Sequence, residues 1–328
     1  MNMGIARFKT SKQCRYKQIP ANPIRLIFEI LLCILLIIPA VVWATIKLFY
    51  KSPRKNIRGQ VVLVTGAARG LGRELCLRFH SLGAKVACVD IDGEGCAETA
   101  KAINRKGGAA KGYKVDVTDR LQIKAMHETV MKELGPVDIV VNNAGIVLAH
   151  MYVNPESDQL IEDLINVNIL GQIWINRELL PSMLKRNHGQ IVAISSMSSM
   201  SGLSGISTYT ATKWATNGMM ESLHNELREL KSAVVSTTVC PYFIETNPEI
   251  SKHLELRLPE MPTSFVGEIV MNGILENRRI FSVPNHFILP VKLVRTLPDN
   301  LQWLINRIFY VNIIGFPKDV ELMNRYRQ

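Results

Sequence analysis

The chain has 328 residues, 47% hydrophobic and 20% charged, a balance that excludes a disordered chain, while 21 Gly and 15 Pro exclude a collagen-like or low-complexity one. The formal net charge of +11 is uneven: residues 1–58 hold eleven Lys and Arg against Glu29 alone, and residues 59–328 hold 28 bases against 27 acids. The basicity therefore belongs to a leader around an apolar run, which points to a membrane surface and away from nucleic acid.

Residues 30–46 carry no charge (ILLCILLIIPAVVWATI). As a helix this run spans about 25 Å, and the apolar residues on either side bring it to spanning length. The expected division is a basic segment over 1–25, a membrane anchor over 26–49 and a basic linker over 50–58. The long stretch before the apolar run argues for an uncleaved anchor over a signal peptide. Positive charge flanks both ends, so a single tilted span and an in-plane or hairpin anchor on a lipid-droplet monolayer both remain open. Pro39 removes a helix hydrogen bond in mid-run. No N-x-S/T sequon occurs in the chain, which favours a cytosolic body on an endoplasmic reticulum membrane or a lipid droplet. The six cysteines show no disulfide or metal spacing, and the seven histidines show none either, so free thiols and no metal are expected.

Beyond the linker, β-branched runs alternate with helical patterns. Strands are expected over 61–64, 85–89, 112–115, 139–141, 190–194, 236–239 and 280–283. Helices are expected over 71–82, 94–105, 120–134, 158–186, 210–230 and 265–276. This alternation requires an α/β fold: a doubly wound parallel sheet with helices on both faces. Residues 284–328 break the pattern with apolar stretches containing Pro, Trp and Phe. They read as an extension that lines a pocket or meets a membrane.

The first strand runs into Gly66-Ala67-Ala68-Arg69-Gly70-Leu71-Gly72 and then a helix. Glycines there let the backbone approach a pyrophosphate at a helix N-terminus. Asp90, at the end of the second strand, suits the ribose hydroxyls and repels a 2′-phosphate, which favours NAD. Arg69 pulls towards NADP, which is not excluded.

Tyr209-Thr210-Ala211-Thr212-Lys213 completes a series: TGAARGLG over 65–72, Asp116, Asn142-Asn143-Ala144-Gly145, Asn168 and Ser196. In this order and spacing the sequence resembles the short-chain dehydrogenases/reductases over about 59–283. It is most similar to their membrane-anchored branch of retinol dehydrogenases and lipid-droplet 17β-hydroxysteroid dehydrogenases. That closer likeness rests on the apolar anchor, the basic Pro53-Arg54-Lys55-Asn56 linker and an aromatic in Cys240-Pro241-Tyr242-Phe243-Ile244-Glu245-Thr246.

The resemblance implies a Rossmann fold and an NAD(P)-dependent alcohol dehydrogenase. Tyr209 would be the base; Lys213, one helical turn on, would favour the phenolate and hold the nicotinamide ribose. Ser196 would polarise the substrate oxygen, and Asn168 would hold a water of the proton relay. Cofactor contacts are expected from Gly66, Arg69, Gly70, Leu71, Gly72, Asp90, Asp116, Asn143, Ala144, Gly145, Tyr209, Lys213, Pro241, Ile244 and Thr246. A strand-end or N-cap role competes for Asp116, and a plain polar-loop role for Ser198 and Ser199. Ser196, Tyr209, Tyr242 and Phe243 are expected at a lipophilic substrate. All-trans-retinol is slightly favoured, with a 17β-hydroxysteroid or a long-chain fatty alcohol as alternatives. An NADPH-dependent carbonyl reductase and a non-catalytic lipid-droplet scaffold are the remaining readings. Homo-oligomers through the helices over 158–186 and 210–230 are an expectation of the resemblance.

Overall fold

The computed structural model describes residues 23–49, 53–147, 149, 152, 158–246, 251–252, 254–309 and 311–313. Two compact units divide at Pro53: Met1–Pro53 and Arg54–Gln328. Cys14, His150, His253 and the basic segment before Pro23 lie outside the described residues.

In the first unit, α1 (Pro23–Phe49) continues through Pro39 without interruption. Its described side chains are exposed and largely apolar, from Ile24 to Val42. Arg25 and Glu29 pair at 2.9 Å one turn apart, within the first two turns. Among the described residues, no helix is long and apolar enough to cross a membrane.

The second unit is a seven-stranded sheet flanked by helices. In chain order it runs β1 (Val61–Thr65), α2 (Gly70–Ser81), β2 (Lys85–Asp90), α3 (Gly93–Asn104), β3 (Ala110–Lys114), α4 (Arg120–Glu133) and β4 (Val137–Asn142). There follow α5 (Asp158–Ile165), a π-turn (Asn166–Gly171), α6 (Gln172–Arg186), β5 (Gln190–Ile194), α7 (Ser207–Glu229) and β6 (Val235–Pro241). Two short strands, β7 (Ile244–Glu245) and β8 (Leu254–Leu256), precede β9 (Met261–Pro262), α8 (Thr263–Leu275) and β10 (Ile280–Val283). The tail forms α9 (Ile288–Val294), α10 (Asp299–Ile308) and β11 (Val311–Ile313), the last antiparallel to β8.

The main sheet has the order β10-β6-β5-β4-β1-β2-β3, and every neighbouring pair is parallel. Strands buried on both faces explain the near-continuous apolar runs in the sequence. Alternate residues of β1 serve opposite cores: Val62 and Val64 pack with Leu75 and Phe79 of α2, and Val61 and Leu63 with Ile123 of α4 and Leu179 of α6. Strand order reverses at β1, whose neighbours are β2 and β4. That reversal opens a crevice at the carboxyl ends of the strands, where ligands bind in such sheets.

The basic linker is partly built into this unit. Ile57 is buried in the first core, Lys55 N–H donates to the Leu275 carbonyl at 2.9 Å, and the Lys55 ammonium donates to Gln190 Oε1. Burying an isoleucine stabilises by about 2 kcal/mol. Burial also pulls the Lys55 ammonium down to about 8, against the opposing charge of Asp138.

Candidate functional site

A cavity of about 1180 Å³ occupies this crevice. It exceeds the ordinary volume of a single drug-sized ligand. Gly66, Arg69, Gly70 and Leu71 line it, with Asp90, Asp116 and the 143–145 segment beside them. Ser196, Tyr209, Lys213, Tyr242 and Phe243 lie on its wall. Pro241, Ile244 and Thr246 complete the sequence-predicted set that lines it. Gly72 and Asn168 are not part of this lining.

The glycine loop is shaped by close approach. Gly66 and Gly70 have φ of 68° and 55°, a region that glycine reaches without strain. A Cβ on Gly72 would lie 2.0 Å from the Gly66 carbonyl oxygen, so no side chain fits there. Asn143 clamps the loop: its Nδ2 donates to the Thr65 carbonyl at 2.9 Å and to that of Gly66 at 3.2 Å. The backbone N–H groups of Asn143 and Ala144 both donate to Thr65 Oγ1 at 3.0 Å. No side chain caps α2 and no acid lies in its first turn, which leaves the helix N-terminus suited to an anion. These features fit a dinucleotide pyrophosphate.

Asp90 Oδ2 accepts from the Ala68 N–H at 3.0 Å, and Oδ1 from the Asp92 N–H at 3.1 Å. Each oxygen has further acceptor capacity, so the carboxylate both braces the loop and remains available to a ribose. Asp116 uses Oδ1 on the N–H and hydroxyl of Thr118, each at 2.8 Å. It closes its own turn, whereas Asp119 is the N-cap of α4.

Ser196 follows β5 in extended backbone and caps a 3₁₀ turn, Met197–Ser199, accepting the Ser198 N–H at 3.1 Å. Its hydroxyl also draws the pKa of the Tyr209 phenol down. Tyr209 and Lys213 are successive turns of one face of α7. Lys213 is 5% exposed; its Nζ donates to the Ile194 carbonyl at 3.0 Å and lies 5.5 Å from the Tyr209 ring centroid. Burial pushes the phenol up to about 12, and the Ser196 hydroxyl opposes that rise. Burial also pulls the Lys213 ammonium down to about 8, against the nearby Cys240. Spacing suggested Lys213 as the group favouring phenolate; here the downward pull on Tyr209 comes from Ser196.

Asn168 sits in the π-turn, fully buried. Its Oδ1 accepts the Ile146 N–H and its Nδ2 donates to the Ile146 carbonyl, both at 2.9 Å. A second donation reaches Thr212 Oγ1 at 3.2 Å. It therefore joins the 143–147 segment to α7 beside Lys213. Its carbonyl accepts from Gln172 Nε2 at 2.9 Å.

The rest of the cavity is mostly apolar and was not resolved by motif. Phe287, Pro290, Val291 and Val294 line it from α9 and the turn before it, and Ile305 and Phe309 from α10 and its end. Their three- and four-residue spacing is the signal the sequence offered. Tyr242 stacks edge-on with Phe243 and Phe287, at centroid distances of 5.0 and 5.7 Å, and its hydroxyl donates to the Leu258 carbonyl at 3.2 Å. Arg295 was missed: it donates to the Met200 carbonyl at 3.0 Å and lies 4.3 Å over the Trp214 ring. Cys76, Cys88, Cys96 and Cys240 are buried free thiols, and Cys33 is exposed. Among the described residues, no cluster of three His, Cys, Asp or Glu could hold a metal.

A family model described as short chain dehydrogenase matches residues 60–255. Human 17-beta-hydroxysteroid dehydrogenase 13 is 34% identical over 285 residues, covering 86% of this chain and 94% of that protein. Bovine short-chain dehydrogenase/reductase family 16C member 6 is 36% identical, covering 78% and 83%. Mouse estradiol 17-beta-dehydrogenase 11 is 33% identical, covering 86% and 95%. A short-chain dehydrogenase/reductase from Burkholderia phymatum, solved in complex with NAD, shares the fold with a TM-score of 0.68 at 22% identity, covering 74% and 95%. The chain belongs to the short-chain dehydrogenase/reductase family. It is an NAD(P)-dependent oxidoreductase of that family.

Proposed function

We propose that this protein oxidises a lipophilic alcohol to its ketone or aldehyde with NAD at a lipid surface. The observation that carries the reading is a Ser196–Tyr209–Lys213 set at the base of a large, mostly apolar cavity. The nicotinamide, when bound, supplies the hydride acceptor. Tyr209 Oη takes the proton of the substrate hydroxyl, and Ser196 Oγ holds the substrate oxygen against it. Lys213 supplies positive charge beside the phenol and a donor for the nicotinamide ribose. Asn168 fixes the segment beside Lys213 and serves the path by which the proton leaves. The glycine loop and Asn143–Gly145 hold the dinucleotide, Asp90 its adenosine ribose, and Asp116 lies at the adenine. Asp90 is the reason to prefer NAD over NADP.

Tyr242, Phe243 and the α9–α10 tail form the substrate end. The relatives named 17-beta-hydroxysteroid dehydrogenase and estradiol 17-beta-dehydrogenase favour a 17β-hydroxysteroid; all-trans-retinol, slightly favoured by the sequence resemblance, is the second reading. Association with an endoplasmic reticulum membrane or a lipid droplet is supported by the exposed apolar side chains of α1 and by Leu293, Trp303, Leu304 and Ile308 in the tail. A non-catalytic scaffold would not need the assembled Asn168, Ser196, Tyr209 and Lys213.

The test is NADH formation by membranes carrying the full chain, with oestradiol, all-trans-retinol and a long-chain fatty alcohol, each with NAD and with NADP. Turnover of a lipophilic alcohol with NAD is expected. Turnover with NADP alone would reject the cofactor assignment, and a Tyr209-independent cellular effect without turnover would restore the scaffold.

A further inference from the structure

Beneath Ser196 lies a knot of small polar groups that the chemistry above does not use. Asn217 Nδ2 donates to Ser199 Oγ at 2.7 Å, and Ser199 Oγ donates to the Ser196 carbonyl at 2.5 Å. The same carbonyl accepts the Ser199 N–H at 3.0 Å. Cys240, at the end of β6, closes the knot with its Sγ 3.8 Å from Ser199 Oγ and 4.0 Å from Asn217 Oδ1. Ser199 and Cys240 are buried. Tyr209, Lys213 and Asn217 are spaced four residues apart, so they share one face of α7. The knot thus joins three elements that each supply the site: the turn bearing Ser196, the helix bearing Tyr209 and Lys213, and the strand leading to Pro241 and Tyr242.

The polarity of the chain of bonds is set by its chemistry. A serine hydroxyl has one proton, and here it goes to the Ser196 carbonyl. Ser199 Oγ must then accept, which requires the Nδ2 end of Asn217. A largely buried hydrogen-bonded network of this kind favours one geometry. The held group is the backbone of Ser196, and so the direction of its hydroxyl.

We propose that Asn217 is a positioning residue, acting through Ser199 to aim the Ser196 hydroxyl at the Tyr209 phenol and the substrate oxygen. This rests on the assignment of Ser196 and Tyr209 as the reacting pair. The relay makes contact with neither substrate nor cofactor. Its loss should reduce turnover and leave dinucleotide binding alone.

The experiment compares Ser199→Ala, Asn217→Ala, the double variant, Ser199→Thr and Tyr209→Phe in the full chain. Rates are read with oestradiol and all-trans-retinol, beside NADH binding and thermal midpoint. Ser199→Ala and Asn217→Ala should each lower kcat about tenfold, the scale of one hydrogen bond, with KM and NADH affinity near those of the unaltered protein. The double variant should be no worse than either single one, because both break the same relay. Ser199→Thr keeps the hydroxyl and should recover most of the loss. Unchanged kcat in the single variants, losses that multiply, or a loss that follows NADH affinity would each overturn the relay. An active Tyr209→Phe would instead overturn the reading beneath it.

A readout independent of turnover is the alkaline titration of the Tyr209 phenol, taken as an absorbance difference between each variant and its Tyr209→Phe counterpart. The groups set against the phenol are Ser196 from the turn and Lys213 from α7, with the Cys240 thiol of β6 near Lys213. Loss of the aimed Ser196 bond should move the titration to higher pH in both single variants. No movement would overturn the relay.

Discussion

The floor and the roof of the cavity are made differently. Its floor rests on the ends of buried strands, where Asn168, Ser195 and Lys213 are almost inaccessible and each is fixed by at least one hydrogen bond. Its roof is made by α9 and α10, neither of which has a buried residue. Leu293 is 58% exposed and Trp303 62%. Rigid elements suit reacting groups that must be held closely, and half-exposed apolar helices suit a surface that meets lipid and accepts a bulky substrate. Changes in the floor should therefore act on rate, and changes in the roof on which alcohol is taken.

The largest expected effect lies in the glycine loop and at the base. Gly72→Ala sets a methyl against the Gly66 carbonyl and should abolish dinucleotide binding, checked by NADH fluorescence titration. Tyr209→Phe removes the only group proposed to take the substrate proton, a contribution of about 10²- to 10⁴-fold. Next is Ser196→Ala. It removes the hydroxyl that lowers the phenol's pKa, so Tyr209 moves further up. The alkaline rise of the oxidation rate should then shift to higher pH, and a pH–rate profile checks it. An unchanged profile would separate Ser196 from the phenol.

Asp90→Ala should weaken discrimination against NADP by about tenfold, the scale of one charge-assisted hydrogen bond and a removed repulsion. The ratio of kcat/KM for the two cofactors measures it. The smallest effect belongs to the roof. Phe243→Ala should raise KM for a bulky alcohol several-fold and leave kcat nearly unchanged, which breaks the comparison if kcat falls instead.

The division between floor and roof also governs what could be read from the sequence. Six of the seven strands of the main sheet were legible as largely apolar runs; β3, a mostly exposed edge strand, spells out no such run and was legible only through its place in the strand–helix alternation. The glycine loop and the Tyr209–Lys213 pair were legible because their chemistry is local in sequence. The π-turn at Asn166–Gly171 was not: the pattern over 158–186 reads as one helix, and a shift of one hydrogen bond leaves apolar periodicity almost unchanged. Pro39 was read as the loss of one helix hydrogen bond, and the helix runs on past it. Asp116 keeps a place on the cavity wall, but its bonds to Thr118 show that a carboxylate after a strand serves its own turn first. The upward shift of Tyr209 and the Asn217–Ser199 knot depend on burial and on contacts between distant elements. Neither leaves a spacing to read. The tail was ambiguous for another reason: apolar residues that line a pocket and those exposed at the surface look alike until the helices are placed, and here the same two helices carry both.

The central claim is that Tyr209 reacts while the rest of the floor holds it in place. The most direct measurement is the initial rate of NADH formation by the full chain and by Tyr209→Phe, at equal thermal midpoint and equal NADH affinity. A loss of turnover of at least a hundredfold with binding intact is predicted. A Tyr209→Phe protein that binds NADH and still oxidises the alcohol at the unaltered rate would contradict the account.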